Sequence, residues 1–355
     1  MTGDKLMTTR QRIVMGLVAV IAAGLIACSG EKGSSYDVTL QGAGATFPAP
    51  LYQKWFKSYS LSHDGAQVDY QAIGSGGGVK SVIDETVDFG ASDAAMTPAE
   101  MAKVEGGVQL LPLTAGCIVL SYNLNGLKGL KLSRAAYAGI FLGKVKNWSD
   151  PLITKDNPGL GLPDEPINVV VRADGSGTTY VFTQHLSAIS PEFAKNPGTN
   201  KLPNWPTGTK SKGNDGVTAS IMTTPGSIGY IEYGYAKSQD MPMAILENKS
   251  GNFVESSAET VRAALATANF SENLIAWVPD PDAKDGYPIA TYTWLICYRH
   301  YKDKGKFQLL QSLLSYCLTD GQKEADALGY VPLPPKVVEM DKAAVQNITL
   351  APNVT

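Results

Sequence analysis

The chain of 355 residues holds only four cysteines and three histidines. Cys28 falls in an N-terminal leader, and Cys117, Cys297 and Cys317 form no CxxC and cannot all pair. A disulfide-stapled scaffold is therefore excluded, and at least one thiol stays unpaired. His63, His185 and His300 are scattered, which leaves no zinc-ligand spacing and little support for a Ser-His-Asp triad; they read as surface or packing residues. Charge is sparse too. Charged residues make up 18% of the chain, in no acidic or basic block, so neither disorder nor a nucleic-acid partner is expected. No resident metal or cofactor is expected either.

What is present begins with the leader. Lys5, Arg10 and Arg12 precede the apolar run Ile13 to Ala27, whose fifteen residues are short for a membrane span and suit the core of a signal peptide. Leu25-Ile26-Ala27-Cys28 resembles the lipobox of bacterial lipoproteins, which implies that Cys28 becomes a diacylated N-terminus. Residues 1–28 are thus a lipoprotein signal peptide and residues 29–36 a flexible polar tether, which places the mature protein in the periplasm or at the cell surface, anchored by lipid. Removing the leader takes away three cations and Asp4, so the net charge goes from −3 to −5. A protein of that sign binds an anion only through local geometry, because its overall field repels one.

The remainder is long enough for two ordinary domains. Short apolar strands alternate with helical stretches: Gln67 to Ile73, Gly78 to Glu85, Val87 to Ala91, Pro98 to Val104 and Gly116 to Asn123. That alternation predicts an α/β fold with largely parallel sheets flanked by helices. The Pro/Gly-rich stretches Asn157 to Pro166 and Pro197 to Gly216 read as long loops, and strand then helix patterns return after Ile289. This order fits a discontinuous first lobe, 37–117 with 290–355, and a second lobe over 118–289.

Arg172-Ala173-Asp174-Gly175-Ser176-Gly177-Thr178 places an arginine, two hydroxyls and two glycines directly after the apolar run Ile167 to Val171 and before a helix from Thr179 to Leu186. At such a turn, free backbone N–H groups and the positive end of a helix favour an anion. Arg172 adds a planar fork matched to two oxygens, and Ser176 and Thr178 add hydroxyl donors. Asp174, two residues from Arg172, suits a role in orienting the guanidinium, since it would repel an anion. Three other segments repeat the theme: Gly42 to Pro50 with Ala45, Thr46 and Phe47 before a helix; Gly74-Ser75-Gly76-Gly77-Gly78; and Val87 to Asp93, which brings Asp93 to the end of a strand. The second is not a nucleotide-binding P-loop, because Val79 stands where glycine must precede Lys-Ser. Each segment alone also reads as a plain turn or helix cap, Asp93 as a cap for the helix starting at Pro98.

As a set these segments, with Lys212 to Gly216 and Ser227 to Tyr233, resemble the phosphate-binding proteins of bacterial ABC-type phosphate importers, in order from about Thr39 to near the C-terminus. The resemblance implies a two-lobed periplasmic-binding-protein-like fold of type II, with mixed sheets and a hinge of crossover strands. It implies one dehydrated phosphate held by Ala45, Thr46, Phe47, Ser75, Asp93, Arg172, Ser176, Gly177 and Thr178, with Asp174 behind Arg172. It implies a monomer that delivers phosphate to membrane permease and ATPase subunits. Cys117 and Cys297 would fall in the crossover strands, either within disulfide reach or as two small buried apolar residues.

Two other readings are an exported phosphatase using Ser75, Ser176 or Asp93 as nucleophile, and a binding protein for another tetrahedral oxyanion. No histidine or carboxylate cluster accompanies those nucleophiles, so no catalytic residue is assigned.

Overall fold

The computed structural model describes residues 37–352; the leader with Cys28, the tether and residues 353–355 lie outside the described residues. Eight strands form one sheet: β1 (Val38–Gly44), β2 (Ala66–Gln71), β3 (Phe89–Ser92), β4 (Val108–Asn123), β5 (Asn168–Arg172), β6 (Thr209–Ser211), β7 (Ser227–Glu232) and β8 (Ala290–Tyr298). Their order is β2-β1-β3-β8-β4-β7-β5-β6.

At each end of the sheet the strands are parallel, β1 with β2 and β3, and β5 with β6 and β7. Parallel neighbours need a crossover, and helices supply it: α1 (Ala49–Ser62), α2 (Ser75–Ile83), α3 (Gly177–Ile189) and α4 (Gly213–Thr223). α1 shows why the chain folds this way locally. Pro48 and Pro50 flank its start, and Tyr52, Trp55, Phe56 and Tyr59 recur at helical spacing to give one buried stripe.

The middle of the sheet is antiparallel, so the sheet is mixed rather than largely parallel. β8 runs against β3 and β4, and β4 runs against β7. β4 is buried at every position except Asn123, the pattern of a strand covered on both faces. Its neighbours change midway. Cys117 lies opposite Ala290 of β8, whereas the next residue, Ile118, lies opposite Glu232 of β7. A single strand thus pairs with β8 over its first part and with β7 over its second. Beyond β8 the chain adds α5 (Lys304–Cys317) and α6 (Pro335–Val345), and the tail pairs Thr349 and Leu350 with His300 and Tyr301.

One loop expectation needs correction. The stretch Pro197 to Gly216 is not loop throughout, because Thr209–Ser211 pairs in parallel with Val170 to Arg172 as the edge strand β6. Of the two readings of Cys117 and Cys297, the structure supports two small buried residues: Cys297 sits opposite Gln109 and Phe89, while Cys117 sits opposite Ala290. Seven residues of strand separate the two cysteines, on the order of 20 Å. That is far outside disulfide reach. All three described cysteines are free and buried.

Candidate anion-binding site

The four predicted segments converge at the C-terminal ends of β1, β3 and β5. The turn after β1 carries Ala45, Thr46 and Phe47; Ser75 begins α2; Asp93 follows β3; Arg172 ends β5; Ser176, Gly177 and Thr178 start α3. Every one of these residues is buried, and Arg172 is 1% exposed. Ligands of open α/β sheets sit at this end because crossover helices begin there with unpaired N–H groups.

The backbone donors are distributed unequally. Ala45 N–H donates to Ala91 O at 2.9 Å, and Ala45 O accepts from the Tyr70 hydroxyl at 2.7 Å, so Ala45 has no free backbone group to offer. Among the described residues, the N–H groups of Thr46, Phe47, Gly177 and Thr178 meet no protein acceptor. The carbonyls behind them are held: Tyr235 donates to Thr46 O and Tyr330 to Phe47 O, both at 2.7 Å. Thr179 N–H, the next donor along α3, is capped by Ser176 Oγ at 3.0 Å.

Arg172 is oriented by Asp174. Nε and Nη2 donate to the two Asp174 oxygens at 2.8 and 2.5 Å, and Nη1 points at Thr178 Oγ1 from 3.5 Å. One edge of the fork is therefore engaged, which leaves Nη1 and the remaining Nη2 hydrogen without a carboxylate partner. Burial works against the Asp174 charge, but the Arg172 pair and the Gly213 N–H outweigh it and hold the carboxyl below its ordinary value.

Asp93 is the inward acceptor. Thr293 Oγ1 donates to its Oδ1 at 2.8 Å, and Ser75 Oγ lies 3.5 Å from its Oδ2. Burial dominates and pushes Asp93 up to about 7, although Thr293, Arg172, Ser75 and Thr178 each pull it down. It does not cap the following helix; Thr97 does, its Oγ1 accepting from Glu100 N–H while its own N–H donates to the Glu100 carboxylate.

Sequence reasoning missed Asn214. Fully buried at the second position of α4, it donates its backbone N–H and its Nδ2 to Thr46 Oγ1 at 3.1 and 2.8 Å, and Nδ2 reaches Thr178 Oγ1 at 3.2 Å. One carboxamide thus joins two of the anion segments. Its presence in Lys212 to Gly216 was a signal of sorts, but that run reads locally as a turn. Thr293 carried no local signal. His185 is a packing residue, bonded to the Tyr137 hydroxyl and Pro279 O, and burial lowers it to about 4.

The loops come very close. Gly76 N–H donates to Gly175 O at 2.7 Å, and a β-carbon on Gly74, whose φ is +92°, would lie 2.3 Å from Asp174 Oδ2. Lys201 reaches Glu100 at 3.1 Å across the same divide.

Comparison with known proteins fits this geometry. A model described as the PBP superfamily domain matches residues 29–320. The phosphate-binding protein PstS of Pasteurella multocida is 39% identical over 309 residues, covering 86% of this chain and 89% of that protein. PstS of Methanocaldococcus jannaschii is 37% identical over 371 residues, covering 95% of both chains. Among solved structures, a periplasmic phosphate-binding protein with bound phosphate superposes with a TM-score of 0.71 at 22% identity, over 86% of this chain and 93% of that one, a likeness of fold. The chain belongs to the PBP superfamily and, within it, to the family of PstS phosphate-binding proteins.

Proposed function

We propose that the protein binds inorganic phosphate outside the cytoplasm and hands it to the permease and ATPase subunits of an ABC-type importer. The observation that carries this reading is the state of the hydroxyls. Thr46 and Thr178 Oγ accept from Asn214, Ser75 Oγ accepts from Asp93 N–H at 3.2 Å, and Ser176 Oγ accepts from Thr179 N–H. With their oxygens already receiving a proton, Thr46 and Ser176 are left to donate their own, while Ser75 and Thr178 direct theirs toward Asp93 and turn them to a bound anion. Their protons, the free N–H groups of Thr46, Phe47, Gly177 and Thr178, and the open edge of Arg172 make a donor-rich cage suited to a tetrahedral oxyanion.

Asp93 then supplies selectivity. At neutral pH phosphate still carries a proton to give a carboxylate, whereas sulfate carries none and would set its charge against a buried one. Mismatches of this kind reject a ligand by on the order of 10⁴-fold. The lobes are assigned as 37–117 with 290–355 and 118–289, with the hinge where β4 changes partner. Thr46, Ser75 and Asp93 lie before that hinge and Arg172 to Thr178 after it, so gripping the ligand draws the lobes together.

The family likeness and the buried donor cage both support a binding protein over an exported phosphatase. Calorimetric titration with phosphate, sulfate, arsenate and molybdate tests the reading: tight phosphate and weak sulfate are expected, and equal affinity for both would overturn it. Hydrolysis of a model phosphomonoester by the pure protein would favour the phosphatase. Lipidation of Cys28 is part of the same proposal. Cys28→Ser should release soluble protein, and a mature N-terminus without acyl mass would refute it.

A further inference from the structure

Glu232 ends β7 and is fully buried, as is Tyr330. The Tyr330 hydroxyl oxygen lies 2.7 Å from Phe47 O and 3.1 Å from Glu232 Oε2. A phenol has one proton. A carbonyl oxygen only accepts, so the shorter contact takes that proton. The second contact is then oxygen against oxygen and requires a proton from the carboxyl group. Glu232 Oε1 is already the acceptor for Gly234 N–H at 2.8 Å, which leaves Oε2 to carry it.

We propose that Glu232 is held as a neutral carboxylic acid donating from Oε2 to Tyr330, and that this Glu232–Tyr330–Phe47 chain is a positioning device for the peptide that presents the Thr46 and Phe47 N–H groups. The positioning half rests on the phosphate reading above; the protonation half stands on the oxygen contacts alone.

The surroundings agree. The titratable groups facing Glu232 are Cys117 from β4, Tyr233 and Tyr235 from the helix that Glu232 caps, Tyr330 from the turn before α6, and Asp93 from the loop after β3. None is a cation, and Glu232 has no ion pair among the described residues. Burial pushes Glu232 up to about 8, against the bonds from Gly234, Tyr330 and Tyr235, and the Asp93 charge adds to the rise. Tyr330 is raised far above the ordinary phenol value by burial and by Glu232, so it keeps its proton over the same range.

The consequence is directional. Once Glu232 ionises, its carboxylate competes for the single Tyr330 proton, and Phe47 O loses its donor. Thr46 O keeps the bond from Tyr235, so the peptide loosens without being freed. Phosphate binding should weaken on the alkaline side.

Two measurements on the full mature chain test this. Infrared difference spectra between about pH 6 and about pH 10 should show an acid C=O stretch that disappears with alkali and is missing in Glu232→Gln. In Tyr330→Phe, where the acid loses its partner, the band should shift. Glutamine keeps a donor toward Tyr330 at every pH, so the ratio of wild-type to Glu232→Gln phosphate Kd should rise about fivefold across that range, the loss of one neutral hydrogen bond. Phosphate's own ionisation acts on both proteins and cancels in the ratio. Absence of a Glu232 acid band overturns the proposal, and a flat ratio overturns the positioning role. An acid band in a protein that binds no phosphate supports the protonation and refutes the phosphate reading instead.

Discussion

Gly177 and Asp93 touch across the cleft: a β-carbon on Gly177 would stand 2.6 Å from Asp93 Oδ2 and 2.4 Å from Ser75 Oγ. Here glycine is required by the approach of two segments that β4 joins only at a distance. Gly177→Ala should therefore spare each lobe and obstruct their meeting. We expect phosphate affinity to fall by roughly 100-fold or more, since both displaced groups belong to the site, with a melting temperature within a few degrees of the parent. Calorimetry and thermal unfolding check this, and undiminished binding would show that the approach is not needed.

Arg172 should matter more than any one hydroxyl. Arg172→Ala removes a charged donor and leaves the Asp174 carboxylate unpaired beside the anion, so a loss of roughly 100-fold or more is expected. Ser75→Ala and Thr178→Ala each remove one neutral bond and should cost about fivefold. Adding Asp174→Asn to Arg172→Ala should recover part of the loss. Equal effects from all three single variants would contradict the assigned roles.

Asp93→Asn replaces the inward acceptor with a group that also donates. Discrimination against sulfate should relax by at least about tenfold, while phosphate binding persists. Sulfate and phosphate titrations on the variant decide this, and unchanged rejection of sulfate would remove Asp93 from the selectivity argument.

Asp341 lies fully buried on α6 with neither carboxyl oxygen bonded, and burial pushes it up to about 9. A carboxyl raised on folding binds its proton more tightly in the folded state than in the unfolded one. Its contribution is thus fully present below the unfolded carboxylate range and is lost as pH rises toward 9. Asp341→Leu should raise the melting temperature at about pH 8 by a few degrees and flatten the decline between about pH 5 and about pH 8. An unchanged slope would locate the pH sensitivity elsewhere, with Asp93 and Glu232 as the next candidates.

The anion loops were legible in the sequence because their chemistry is local. A strand end, a glycine turn, a hydroxyl and an arginine lie within seven residues at Arg172 to Thr178, and helix starts advertise their free N–H groups wherever they occur. Asp174 was readable as the partner of Arg172 for the same reason, since two residues of separation fix their meeting. The alternation of strands and helices likewise made the α/β class plain.

Tertiary structure decided what depends on pairing between distant residues. The mixed sheet follows from β4 and β8 running antiparallel, which no local pattern encodes, and their register set Cys297 far from Cys117. Thr209–Ser211, short and polar, is a strand only because β5 lies beside it. Asn214 became a bridge, Thr293 a donor to Asp93, and Ala45 a residue without a free donor, through contacts made across the sheet. Whether a hydroxyl or a carboxyl is left to donate depends on what already bonds to its oxygen. For Thr46 that partner is Asn214, from another part of the chain, so the proton it has left to donate was set by folding.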